Sequence, residues 1–173
     1  MRKFIVVGIL VLAVAMAAPA MAFEKGTIRL GTGTGLLSTG TGFSSTSLDF
    51  DGGGSDDFDV FAFGLGYFLT DTVEVAFEFS NVDLGSGIEI DGLGLAGKYY
   101  FPMGDNYLYA GGGFETFDFA GADGDIIFVT GGYNLMLKEY FSVDFYLTIG
   151  QGDVDGNDFD MTDLGITYSV YFK

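Results

Sequence analysis

The chain contains no cysteine, no histidine and no tryptophan. Without cysteine there is neither a disulfide framework nor a thiolate metal site, so an exported form must be held by its core or its sheet alone. Without histidine the commonest general base is missing, and so is the commonest metal ligand. Basic residues are scarce. Seven Lys and Arg stand against 24 Asp and Glu, a net charge of −17. That balance excludes a nucleic-acid partner, whose phosphates call for Lys and Arg. Only two prolines occur, one of them Pro19 near the start. After the first two dozen residues no apolar run approaches the ~18 residues of a helical span.

What the chain does contain is equally lopsided. It has 19 Phe, 10 Tyr and 29 Gly, and 49% of it is hydrophobic. Acidic disordered chains lack aromatics. Glycine this high without a collagen period, mixed with alternating aromatics, points to sheet with small residues on a crowded face.

The first 22 residues read as a secretory signal. Arg2 and Lys3 form a positive start, Phe4 to Met16 an apolar stretch, and Ala20-Met21-Ala22 a small-residue cleavage site. The expected mature chain is residues 23–173, with five cations against 24 carboxylates, net −19. No cysteine follows the site, which closes the lipoprotein route.

The mature chain shows eight runs with a period of two, the mark of strands. The clearest is the hairpin Gly64 to Phe79. Phe63, Leu65 and Tyr67 share one face of its first arm. Val73, Val75, Phe77 and Phe79 share one face of its second, opposite Glu74, Ala76 and Glu78. An earlier run, Gly26 to Leu37, sets Ile28 and Leu30 against Arg29, Gly31, Gly33 and Gly35. In later runs Leu93, Leu95, Tyr99 and Phe101 oppose Gly92, Gly94, Ala96, Lys98 and Tyr100. Ile88 and Ile90 fall out of phase there, so a bulge or a change of environment is expected near Asp91. A fifth run, Tyr107 to Phe119, turns Leu108, Ala110 and Phe114 outward. Further on, Ile127, Val129, Tyr133 and Leu135 share a face, then Phe141 to Ile149, then Leu164 to Phe172.

The connections fall into two kinds. Those near Asp71, Gly104 and Lys138 are short and bracketed by Tyr67, Phe68, Tyr99, Tyr100, Phe101, Tyr107, Tyr109, Tyr133, Tyr140 and Phe141. The others, Ser38 to Asp57, Asn81 to Gly87, Ala120 to Asp125 and Gly150 to Asp160, read as Gly/Asp-rich loops. Alternate turns of a meander lie at the same end. One end thus carries short turns and an aromatic ring, the other acidic loops, as in a bacterial outer-membrane barrel. Strands of about 9–11 residues suit a tilted crossing. A soluble sandwich or lipocalin-like barrel would instead put polar residues on its outer strand positions. Here the non-apolar face is full of glycine, which suits the narrow inside of an eight-stranded barrel. The expected fold is all-β: an eight-stranded antiparallel up-and-down transmembrane β-barrel.

With the strands placed, the sequence resembles the small eight-stranded outer-membrane barrel proteins of Gram-negative bacteria. The likeness covers most of residues 23–173. It rests on Gly26-Thr27-Ile28, on Gly66-Tyr67-Phe68-Leu69-Thr70-Asp71, on Lys98-Tyr99-Tyr100-Phe101-Pro102-Met103-Gly104, and on Tyr168 to Phe172. Such barrels usually end on an aromatic residue read by the assembly machinery, whereas here Lys173 follows Phe172. The resemblance implies a cell outer-membrane location, with outer-membrane lipid, lipopolysaccharide and the assembly machinery as partners.

Chemistry is sparse. No G-x-S-x-G occurs, and a Ser or Thr nucleophile would lack an imidazole partner, so no catalytic residue and no cofactor are expected. The lumen is expected to hold Arg29, Glu74, Glu78, Lys98, Glu115 and Asp144 as a polar network that fills it. The acids crowd at Asp49, Asp51, Asp56, Asp57 and Asp59, and again at Asp153, Asp155, Asn157, Asp158 and Asp160. The run from Asp153 resembles the start of a calcium loop, but Asp158 stands where Gly is needed and Leu164 where Glu is needed. Asp153, Asp155 and Asn157 are therefore weak metal candidates in a solvated tip. The expected function is a structural or interaction barrel, a monomer with filled lumen and acidic outer loops, serving surface contact or membrane integrity. A narrow channel for small solutes is the alternative.

Overall fold

The computed structural model describes residues 23–31, 43–50, 54–58, 62–83, 89–119 and 121–173. The signal segment, Gly33 and Gly35 lie outside the described residues. Ten strand segments follow in chain order: β1 (Ile28–Gly31), β2 (Phe43–Phe50), β3 (Gly54–Phe58), β4 (Ala62–Phe68), β5 (Val73–Asp83), β6 (Glu89–Met103), β7 (Asn106–Phe119), β8 (Ala122–Lys138), β9 (Phe141–Val154) and β10 (Asn157–Phe172). Eight of them, β1 and β4 to β10, pair antiparallel in sequence, and β1 closes on β10. The expected eight-stranded up-and-down barrel is the observed fold.

The barrel is sheared. Following the ladder from Arg29 gives Gly66, Ala76, Ala96, Gly113, Phe128, Gly150 and then Met161. Arg29 also pairs directly with Tyr171. One circuit therefore climbs from Tyr171 to Met161, ten residues along β10. That offset tilts the strands and, with the strand number, fixes the lumen's width.

The wall alternates as the sequence requires. On β6 the outward positions from Leu93 to Phe101 are apolar apart from Gly97, as are those from Phe141 to Ile149 on β9 and from Leu164 to Phe172 on β10. On β8 Ile127 and Val129 stand outward with Tyr133 and Leu135, Gly131 between them. Each window is nine residues long. At the usual strand rise and tilt that is a belt about 20 Å high. Ile127 and Leu164 are each 66% exposed, whereas Glu74 is fully buried. A sheet that hides its charges and shows its large aliphatics has hydrocarbon, not water, against its outer face.

Three expectations are corrected and one is decided between its alternatives. The segment read as a loop from Ser38 to Asp57 contains β2 and β3; Asp49 lies in β2, Asp56 and Asp57 in β3, while Asp51 and Asp59 fall outside the described residues. β2 runs antiparallel to β10 from Phe43↔Ile166 to Phe50↔Phe159 and so lengthens the β1 side of the wall. Secondly, of the two readings at Asp91 the change of environment holds and the bulge does not, because the register of β6 is unbroken against both β5 and β7. The phase is constant and the surroundings change: Leu93 faces lipid, Asp91 lies beyond it. The register does shift between Met136 and Lys138 on β8. Thirdly, the regions Ala120 to Asp125 and Gly150 to Asp160 are mostly strand, leaving a tight turn at Asp155 and Gly156. Strands of 14 to 17 residues from β6 to β10 overrun the belt by several residues at this acidic end. Fourthly, the aromatic ring is two populations. Tyr67, Tyr99 and Tyr140 are exposed, but Phe68, Tyr100, Tyr107 and Tyr109 are buried, because neighbours in a strand face opposite ways.

Candidate functional site: the filled lumen

The lumen is packed in three layers, each supplied by the inward half of the alternation. Nearest the chain termini is an aromatic layer. Phe23 sits at its centre, with ring centroids 4.4 Å from Phe68, 4.4 Å from Tyr107, 4.8 Å from Tyr171 and 5.2 Å from Tyr100. Tyr109 extends the group, 5.5 Å from Tyr100. Such ring pairs add to simple burial.

The middle layer is polar. Arg29 Nε donates to Glu74 Oε1 at 2.6 Å, and the Tyr100 hydroxyl donates to Glu74 Oε2 at 2.6 Å. Arg29 Nη1 also reaches Ser169 Oγ at 3.4 Å. Gly66 faces this cluster; a Cβ there would overlap the Glu74 carboxylate. A second cluster centres on Asn134, whose amide nitrogen stands 2.7 Å from Asp144 Oδ1 and 2.8 Å from both Ser142 Oγ and the Tyr171 hydroxyl. Ser142 Oγ donates to Asp144 Oδ2 at 3.1 Å. Lys98 Nζ lies 5.4 Å from the centre of the Tyr109 ring, within cation–π range. Thr148 donates to Thr130 at 2.9 Å.

Towards the acidic end the lumen turns apolar. Phe117, Ile126, Phe128, Phe159 and Met161 are all buried and form one cluster with Ala76 and Ala96. Phe117 and Phe159 meet edge to face at 6.1 Å. Phe117 needs Gly124 beside it, since a Cβ there would fall 2.6 Å from the ring.

The structure places the side chains of Arg29, Glu74, Glu78, Lys98, Glu115 and Asp144 inside, each buried. It brings Arg29 together with Glu74. Asp144 belongs to the Asn134 cluster instead. Glu78 and Glu115 flank Gly94 on opposite sides, their Cβ atoms about equally close to it. The expected polar network left out Asp163, fully buried on β10, as well as Asn134, Ser142, Tyr171 and Phe23, although alternation faces Ser142 and Tyr171 inward. The signal for Asp163 was available. Leu164 faces lipid, so its neighbour faces in. Counting Asp163, five buried carboxylates share the lumen with two buried cations among the described residues.

At the acidic end the tip is self-capped. Gly156 N–H donates to Asp153 Oδ1 at 2.9 Å, Asp155 adopts a φ of 50°, and Asn157 Nδ2 donates to the Val154 and Asp155 carbonyls. Among the described residues no three His, Cys, Asp or Glu side chains converge to hold a metal ion. Outside the wall, Asp91, Asp118 and Asp123 are direct cross-strand neighbours, as are Asp125, Asp153 and Asp158. Asp91, Asp118, Asp123 and Asp125 line a groove of about 760 Å³ together with Phe79, Leu93 and Phe114. At the opposite end Lys173 Nζ donates to Glu24 Oε1 at 2.9 Å, and that hydrogen bond and charge hold the ammonium's pKa above its ordinary value.

No family model and no curated protein sequence matches the chain. Solved structures do. Neisserial surface protein A superposes with a TM-score of 0.62 at 14% identity, over 86% of this chain and 98% of that one. The N-terminal β-barrel domain of Pseudomonas aeruginosa OprF gives 0.51 at 15% identity, over 83% and 98%. At such identities the likeness is one of fold, and the fold is that of the small outer-membrane barrels. A closed barrel of this fold with a lipid-facing belt is an outer-membrane protein.

Proposed function

We propose that this barrel is a structural or interaction protein of the Gram-negative outer membrane, serving surface contact or membrane integrity rather than passage. One observation carries the reading: aromatic, polar and apolar layers succeed each other along the lumen, and their side chains are buried. The acidic end stands on the cell surface and the termini in the periplasm. Residues 1–22 are the cleaved signal. Outer-membrane lipid and lipopolysaccharide surround the belt, and the assembly machinery inserts it as a monomer. No chemistry of hydrolysis is assigned to it. Ser142 shares its hydroxyl with Asp144, but no imidazole completes a relay, and both are buried.

Single-channel recording in planar bilayers tests this function. The expected result is a silent membrane; steady openings would overturn the filled lumen in favour of a narrow channel. Labelling of Asp155→Cys on intact cells by an impermeant maleimide checks the orientation, and failure to label would reverse it. N-terminal sequencing of the membrane-borne protein is expected to begin at Phe23.

A further inference from the structure

Residues 23–27 run from the barrel mouth into its wall. Their downstream part is tied into the sheet: Gly26 N–H donates to the Phe68 carbonyl at 2.9 Å, and Phe68 N–H donates to the Thr27 carbonyl at 3.0 Å. The upstream part is held differently. Lys25 N–H donates to Asp71 Oδ1 at 3.0 Å, an exposed bond. Thr27 N–H donates to the Glu24 carbonyl at 3.0 Å. Glu24 and Lys173 form an ion pair whose side chains are 70% and 58% exposed. Gly26 joins the two parts with a φ of +93°, in the region natural to glycine alone.

Of residues 23–25 only Phe23 is buried, and its ring lies among Phe68, Tyr100, Tyr107 and Tyr171. Two of these begin the polar clusters behind: Tyr100 bonds Glu74, and Tyr171 stands by Asn134. Moving one ring therefore uncovers both clusters. The remaining holds upstream of Gly26 are surface contacts of the kind that contribute little and are screened by salt.

We propose that residues 23–25 are a strap that swings about Gly26 and carries the Phe23 ring in and out of the periplasmic mouth as a stopper. Its withdrawal admits water to the polar layer. The apolar layer around Phe128 and Met161 remains as a back wall, so the device opens a chamber from one side and not a pore. The assignment to the periplasm rests on the orientation proposed above; the stopper itself does not.

The absence of cysteine makes the test clean. Ser169→Cys puts a thiol beside Arg29, one inward step beyond Tyr171. Its reaction with a water-soluble methanethiosulfonate is followed by mass spectrometry in the folded, detergent-borne barrel. Adding Phe23→Ala is expected to speed modification by about tenfold or more, the effect of losing one buried ring from the closed state. Coupling Glu24 to Lys173 with a carbodiimide, which joins the paired groups as an amide, is expected to slow it. Lys173→Ala should abolish that slowing. An unchanged rate in a Phe23→Ala barrel that keeps its heat-modifiable gel mobility would show that the ring is no barrier. An unchanged rate after coupling would show a fixed wall in place of a moving strap. If Phe23→Ala fails to fold, Phe23→Leu takes its place, and the coupling arm needs neither. Bilayer conductance would strike the filled-lumen reading, whereas these rate ratios strike only the strap.

Discussion

The belt and the acidic end of this barrel use the same alternating strands and bury opposite chemistry. Within the belt Leu164, Ile166 and Tyr168 point out while Asp163, Thr167 and Ser169 point in. A few residues further along β10, Asp158 and Asp160 point out while Phe159 and Met161 point in. The strand never slips phase. The outer medium changes from hydrocarbon to water, and the apolar side chains change faces with it. With strands of 14 to 17 residues from β6 to β10, the barrel is thus a membrane protein below and a water-soluble one above.

Four tests would break or sharpen that contrast. The largest effect is expected inside the belt. Arg29→Met removes the partner of Glu74 and leaves a carboxylate buried, which should cost about 3–5 kcal/mol. Denaturant titration followed by gel mobility measures it. Next comes the apolar layer, where Phe117→Ala should cost about 3 kcal/mol by truncating a packed ring. Loss of stability at Arg29 with none at Phe117 would mean that the acidic end is not a core. The third compares two outward neighbours. Leu95→Lys sits in the belt and should cost about 2–4 kcal/mol, against about 0–1 for Thr116→Lys at its margin. Equal costs would erase the boundary drawn between them. The smallest effect is a gain. Asp118→Asn removes two like-charge cross-strand contacts, with Asp91 and Asp123, and should stabilise by about 0.2–1 kcal/mol, more at low salt.

The belt was legible because its contrast is extreme. Leu93 beside Gly94, or Phe77 beside Glu78, leaves one assignment of faces once lipid is admitted. The acidic end was not, because Asp, Ser, Thr and Gly read as loop wherever they cluster. Phe43 to Phe50 runs FSSTSLDF, and only its pairing with β10 makes it strand. The same bias hid Asp163, which follows the stretch taken for a loop. Alternation faced Tyr100 inward with Lys98, and only the grouping of aromatics by turn merged it with Tyr99 into one ring. The two are identical in kind and adjacent, and composition near a turn does not say which faces in. Phe23 carried no signal at all, since it precedes the first strand and acts through the mouth rather than the wall.

The ten-residue climb from Tyr171 to Met161 also sets how this molecule tolerates change in length. Bore is written here as an offset between strands, and no single side chain encodes it. Removing two residues from the middle of β10 would preserve every facing and yet reset the offset to eight. The tube would draw narrower, and each tier on β10 would meet the wrong tier on β1. A pair of residues deleted from a strand is therefore a change of gauge, whereas the same pair deleted from the tip at Asp155 is only a trim.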